Sequence, residues 1–152
     1  GVQPQWAWHS PTLRRALPVD DYGHGTHTMG TMCGDDGVRR VGVAPMAEWI
    51  ASDAIFGSNR GQIFIDVIAA LQWSADPDGN SQTVDDVPDV SSNSWGFSPF
   101  RHGVAVCDST FWQAIDVCDA AGCAVVFGAG NEGELGATSL RTPADRSASE
   151  TN

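Results

Sequence analysis

The sequence predicts an α/β domain, a three-layer parallel sheet with helices on both faces. Three observations lead there. Helix-type and strand-type segments alternate along the chain, the pattern of strand–helix–strand units. The segment Cys123–Phe127 (CAVVF) is continuously apolar, as a strand covered on both sides reads. Two candidate strands run out into small-residue stretches, Asn93-Ser94-Trp95-Gly96 and Gly128-Ala129-Gly130-Asn131, and ligands of parallel sheets gather at such carboxyl ends.

Taken in order, the first twenty residues read as loop, with Pro4, Pro11 and Pro18 spread through them. Gly23–Gly34 (GHGTHTMGTMCG) follows, with His24, His27, Thr28 and Thr31 on one helical face and Met29, Met32 and Cys33 on the other. An uncharged helix rich in Gly and Thr is expected to be buried close to other backbones. Gly34–Gly42 reads as a polar turn, Ala47–Phe56 as a strand, and Gly57–Gly61 as a break. Ile63, Phe64, Val67, Ile68 and Leu71 recur at helical spacing. After a polar loop over 76–86, Val87–Ser94 is a short strand candidate. Asp108 or Ser109 is placed to cap a helix with the stripe Phe111, Ala114, Ile115, Cys118, and Gly122 to stop it.

Composition narrows the function classes. The chain has 152 residues, 41% hydrophobic and 18% charged, ordinary for one globular domain. It carries 19 acidic residues against 8 basic ones, all Arg, for a net charge of −11. Such a surface repels phosphate backbones, so nucleic acid is not an expected partner. No apolar run is long enough for a membrane span, and no signal peptide is read in this chain. Four Cys without a CxxC pair argue against a disulfide scaffold or a zinc ribbon. They leave open whether Cys33, Cys107, Cys118 and Cys123 are thiols or form one or two bridges.

His24 and His27 lie three apart, on neighbouring turns of a helix. Three readings compete: two structural histidines, a metal pair, or one catalytic His supported by the other. The metal reading lacks the intervening Glu and the i, i+4 spacing of a zinc helix, and no metal ligand is assigned. Flanking Gly23 and Gly25 favour a catalytic His, because they let a substrate backbone approach. Asn131, presented after small residues at a strand exit, offers uncharged N–H donors suited to an oxyanion developing in acyl transfer. Its alternative is an Asn in a left-handed turn between glycines.

Together the two segments carry a resemblance. His-Gly-Thr-His-x-x-Gly-Thr at 24–31 resembles the histidine motif of subtilisin-like serine proteases, and Gly-Ala-Gly-Asn-Glu-Gly at 128–133 resembles their oxyanion-asparagine motif. Between them, Gly42-Val43-Ala44-Pro45 looks like the turn after the histidine helix. Gly57-Ser58-Asn59-Arg60-Gly61 looks like the Gly-rich strand beside the substrate cleft, and Asn93–Gly96 like the strand that pairs with substrate. The resemblance spans about residues 19–145, and the wording VGVAPMAEWIA and NSWG is similar to the bacillopeptidase F-like branch. It implies that His24 is the general base, His27 is structural and Asn131 is the oxyanion donor. Ser94, Trp95 and Gly96 would pair with an extended peptide. Ala129 and Gly130 would line the opposite wall of the specificity pocket, and Gly57 and Gly61 would flank the upstream subsites. The expected partner is a polypeptide substrate and the expected location is extracellular or the cell surface. The chemistry needs no cofactor; the resemblance implies that structural Ca²⁺ often binds near the loop after the histidine helix, where Asp35 and Asp36 suit a hard cation but do not by themselves make a site.

Two triad members have no match. The resemblance places the nucleophile in a Gly-Thr-Ser motif downstream of Asn131, and Ser139, Ser147 and Ser149 sit in no such motif. It places the acid just before Gly1, and Asp20 and Asp21 lie too close to His24 in sequence to replace it. Residues 1–152 are therefore expected to be one partial catalytic domain, holding the N-terminal and central part of the subtilisin-like fold and inactive alone. Its expected further partners are the remaining protease segments, or other copies through exposed sheet edges. The alternatives from other classes are a non-catalytic peptide-binding pseudoprotease and a His-based metal-binding domain.

Overall fold

The computed structural model describes residues 7–56, 59–136 and 139–146. Two compact units are present, Gly1–Trp73 with Pro77–Asn80, and Ser74–Asp76 with Ser81–Asn152. Gly57, expected beside the upstream subsites, lies outside the described residues.

In the first unit, β1 (Trp8–His9) pairs in parallel with β2 (Ala51–Ser52), Trp8 opposite Ala51 and His9 opposite Ser52. The pairing continues through Ala51 N–H to Ala7 O at 3.0 Å and Asp53 N–H to His9 O at 2.8 Å. Helix α1 (His24–Cys33) lies between these strands in sequence, and α2 (Arg60–Ser74) follows β2. Val67 and Leu71 of α2 are buried, as is Ala54. The His9 ring stacks on Trp73 at 5.1 Å between centroids. Thr12 Oγ1 donates to Asp66 Oδ1 at 2.6 Å and accepts from Gln62 Nε2 at 2.7 Å, so the buried Asp66 ties the loop after β1 to α2.

In the second unit, β3 (Val90–Asn93) pairs in parallel with β4 (Ala124–Phe127), from Val90–Ala124 to Asn93–Phe127. Between them come a short α3 (Pro99–His102) and α4 (Trp112–Ala121), the latter entered through a 3₁₀ turn at Ser109–Phe111. Ser98 caps α3, and the Asp108 carboxylate accepts from Thr110 N–H at 2.9 Å to cap the 3₁₀ turn. Gly122, with φ 100°, closes α4. α4 packs on β4. Phe111, Ala114, Ile115 and Cys118 are buried, as the stripe predicts. Trp95, Phe97, Phe111 and Phe127 form an aromatic cluster, with Trp95 edge-on to the other three at 5.2–5.9 Å.

The alternation of strands and helices and the parallel pairing agree with the predicted α/β class. Several details differ. The strand expected over 47–56 is confined to Ala51–Ser52, and β1 arises inside the segment read as loop. Arg60 and Gly61 open α2 rather than continuing a strand. β1–β2 and β3–β4 are separate two-stranded sheets among the described residues. Val90 and Val126 stay 57% and 54% exposed, because α4 covers one side of the β3–β4 pair. α1, expected to be buried, has no buried residue. Its threonines offset exposure by bonding back to the helix, Thr28 Oγ1 to Gly25 O and Thr31 Oγ1 to His27 O. All four Cys are thiols, and burial pushes Cys118 up to about 11. Among the described residues no helix is long and apolar enough to cross a membrane.

Candidate active site

His24 is the first residue of α1, preceded by Gly23 in the left-handed region at φ 72°. That entry presents the imidazole at an exposed helix N-terminus. Asp20 holds the entry in place. Its Oδ1 accepts from Gly23 N–H at 2.9 Å and Tyr22 N–H at 3.2 Å, and its Oδ2 from Thr26 N–H at 2.7 Å. These bonds, the Thr26 bond first, keep the carboxyl below its ordinary range. Asp21 is paired with Arg15 at 2.7 Å. Both acids beside the histidine motif are thus committed to local contacts. Among the described residues, neither His24 nor His27 belongs to a group of three metal-capable side chains.

The turn after α1 seals its last carbonyls. Val43 N–H bonds to Thr31 O at 3.2 Å and Ala44 N–H to Met32 O at 2.8 Å. A side chain at Gly42 would begin 2.3 Å from Gly34 N and 2.6 Å from Cys33 C, so only glycine fits. In the loop before it, Asp36 Oδ1 accepts from Val38 and Arg39 N–H, and Asp35 faces Arg40 at 3.5 Å.

In the second unit the two strand exits lie side by side. Gly128 N–H bonds to Asn93 O at 3.0 Å, one step beyond the Asn93–Phe127 pair. This register brings Ser94-Trp95-Gly96 next to Ala129-Gly130-Asn131. Ser94, Ala129, Gly130 and Asn131 are exposed, while Trp95 and Gly96 are half-buried. Trp95 Nε1 donates to Asn93 Oδ1 at 3.0 Å, and its indole joins the aromatic cluster. Residues 140–142 run along both exits. Phe97 and Thr142 exchange N–H···O bonds at 2.8 and 3.1 Å, and Arg141 N–H bonds to Ala129 O at 3.2 Å.

Two residues here, Glu132 and Arg141, take no role from the sequence, although Glu132 lies within the motif at 128–133. Glu132, 2% exposed, accepts a two-bond fork from Arg141, Nε to Oε2 at 2.8 Å and Nη2 to Oε1 at 2.7 Å. Its Oε2 also accepts from Asn131 N–H at 3.0 Å. The fork is the main reason its carboxyl is pulled down to about 2, and Glu132 in turn holds Arg141 up. The available signal is an acidic residue directly after the candidate donor, with an Arg nine positions on, but nothing local joins that pair. A groove of about 480 Å³ lined by Ile115, Val125, Phe127 and Pro143 does not include the candidate residues.

The profile of the Subtilase family matches residues 7–149. The chain belongs to the subtilase family. That family has an α/β fold and its members are serine proteases. Bacillopeptidase F of Bacillus subtilis (strain 168) is 36% identical over 129 residues, covering 82% of this chain and 8% of that protein. The chain thus spans under a tenth of the length of this curated relative. Among solved structures there is no significant match.

Proposed function

We propose that this chain is the N-terminal and central part of one serine endopeptidase catalytic domain, which hydrolyses peptide bonds with an Asp-His-Ser triad. His24 takes the proton from the serine hydroxyl as its oxygen attacks the peptide carbonyl, then returns it to the leaving amine. Asn131 donates an amide N–H to the oxyanion of the tetrahedral intermediate. Ser94, Trp95 and Gly96 pair with the extended substrate, Ala129 and Gly130 wall the specificity pocket, and Gly57 and Gly61 flank the upstream subsites. The serine and the aspartate come from outside residues 1–152. The substrate is a polypeptide, and the site of action is extracellular or the cell surface.

One observation carries this reading: the parallel β3–β4 register brings the strand exit 94–96, with Ser94 exposed and Trp95 and Gly96 half-buried, beside an exposed Asn131. A peptide could add to the first while its carbonyl faces the second. The commitment of Asp20 and Asp21 to Thr26 and Arg15 supports an acid from elsewhere.

The test is turnover of a peptide substrate by the full-length protein. His24→Ala should abolish it. Asn131→Ala should lower kcat by about 10²–10³-fold, a figure set by subtilisin itself. Full activity in either variant overturns the assignment. Residues 1–152 alone should give no turnover, since no acyl-enzyme forms without the serine. Activity of that piece, lost on His24→Ala, would refute its inactivity.

A further inference from the structure

The Glu132–Arg141 fork does more than close a loop. Taking Asn131 as the oxyanion donor, we propose that Glu132 and Arg141 are positioning residues that set the Asn131 loop against the substrate-pairing exit of β3. The proposal rests on that reading of Asn131. Three contacts converge on this role. The Glu132 carboxylate grips the loop directly through Asn131 N–H at 3.0 Å. Arg141 grips it from the other side, through its own N–H to Ala129 O at 3.2 Å. The Arg141 stem runs between two glycines that belong to the two exits. A Cβ at Gly96 would lie 2.7 Å from Arg141 Cβ, and one at Gly130 would lie 2.8 Å from Arg141 Cγ and 2.9 Å from Glu132 Oε2. Both glycines are therefore without side chains where this one arginine passes.

The chemistry of the pair suits positioning. A planar guanidinium meeting a carboxylate through two parallel bonds fixes direction as well as distance. The Glu132 side chain is 1% exposed and that of Arg141 is 19% exposed, so water competes poorly for the bonds. Arg101 Nε approaches the same carboxylate at 3.3 Å from a mostly exposed position, adding charge without a fork. Gly130, at φ 107°, gives the backbone the bend that brings Asn131 N–H back onto Glu132. Lysine in place of Arg141 would keep the charge and lose the fork, and glutamine in place of Glu132 would keep the shape and lose the charge.

The experiment has two arms on the full-length protein. In the first, amide hydrogen exchange is followed over 128–131 and over the β3 and β4 ladders. Arg141→Lys and Glu132→Gln should each speed exchange at Asn131 by about tenfold or more. Val125 to Phe127 should keep their wild-type protection. Unchanged exchange at Asn131 overturns the proposal, and so does an equal loss of protection throughout the ladders, which would mark a merely structural pair. In the second arm, kcat and KM are measured. A displaced donor should lower kcat by about tenfold to 10²-fold with KM held within about twofold, and Arg141→Lys should resemble Glu132→Gln. A rise in KM at constant kcat overturns the positioning role. If the wild type shows no turnover at all while the first arm behaves as expected, the protease reading fails and the clamp on the loop stands.

Discussion

At the scale of single residues, the charged groups that matter are carboxylates with unusual partners. Glu132 is the clearest. Its folded carboxyl sits at about 2 against an ordinary 4.5, chiefly because Arg141 donates to its ionised form. A group lowered on folding stabilises the fold fully above its unfolded value and loses that contribution as pH falls toward its folded value. The window here is therefore pH 4.5 down to about 2. Denaturant titrations of the wild type and Glu132→Gln should show a stability gap that is constant above pH 4.5 and narrows below it. A gap that stays flat to the acid end of that window would mean the pair is not ionic in the fold. Asp20 follows the same sign, with a carboxyl lowered by the Thr26, Tyr22 and Gly23 N–H groups, and its protonation should loosen the entry of α1 ahead of His24. Neither role is legible in the sequence. His24 and Asn131 stand out by their glycine neighbours, whereas Glu132 acquires its meaning only when residue 141 folds back across the loop.

At the scale of elements, local periodicity is informative and distant contacts are not. The stripe Phe111, Ala114, Ile115, Cys118 and the stop at Gly122 are readable because spacing and capping are properties of neighbours. β1 is not, since two residues cannot show an alternation. α3 leaves a readable trace, a Ser98 cap, Pro99 in the first turn and Gly103 after the last residue, but four residues give no stripe. The exposure of α1 escapes the sequence because an uncharged helix reads the same whether or not something lies on it. Two substitutions test what holds these elements. Phe111 is fully buried and contacts Trp95 and Phe97 at 5.7 Å. Phe111→Ala should cost about 3–5 kcal/mol in urea denaturation and shift the Trp95 emission toward that of exposed indole. Gly42→Ala places a methyl against the Gly34 and Cys33 backbone and should cost about 1–3 kcal/mol, with faster amide exchange in the last turn of α1. A wild-type midpoint in either variant would contradict the corresponding contact.

At the scale of the whole molecule, family membership and local architecture meet at the sheets. Parallel strands in α/β proteins are normally covered on both faces, and a two-stranded sheet is marginal by itself. Here β1–β2 and β3–β4 each stand as a pair among the described residues. Apolar side chains lie open on them and elsewhere, with Val90 57% and Val126 54% exposed on the strands, and Val38 90%, Val43 89% and Met46 78% exposed around the turn after α1. Open parallel edges next to exposed valines favour pairing with another chain. The net charge of −11 opposes it, but that repulsion is screened over about 8–10 Å at ordinary salt, so burial at contact distance prevails. Residues 1–152 prepared alone should therefore sediment as a concentration-dependent mixture of monomer and larger species, with the larger species gaining as salt is raised. Val126→Glu should shift that mixture toward monomer, because it adds charge to an exposed strand face without touching the buried stripe of α4. A monomer that is independent of concentration in the wild type would mean that the exposed strands of this chain need no further cover.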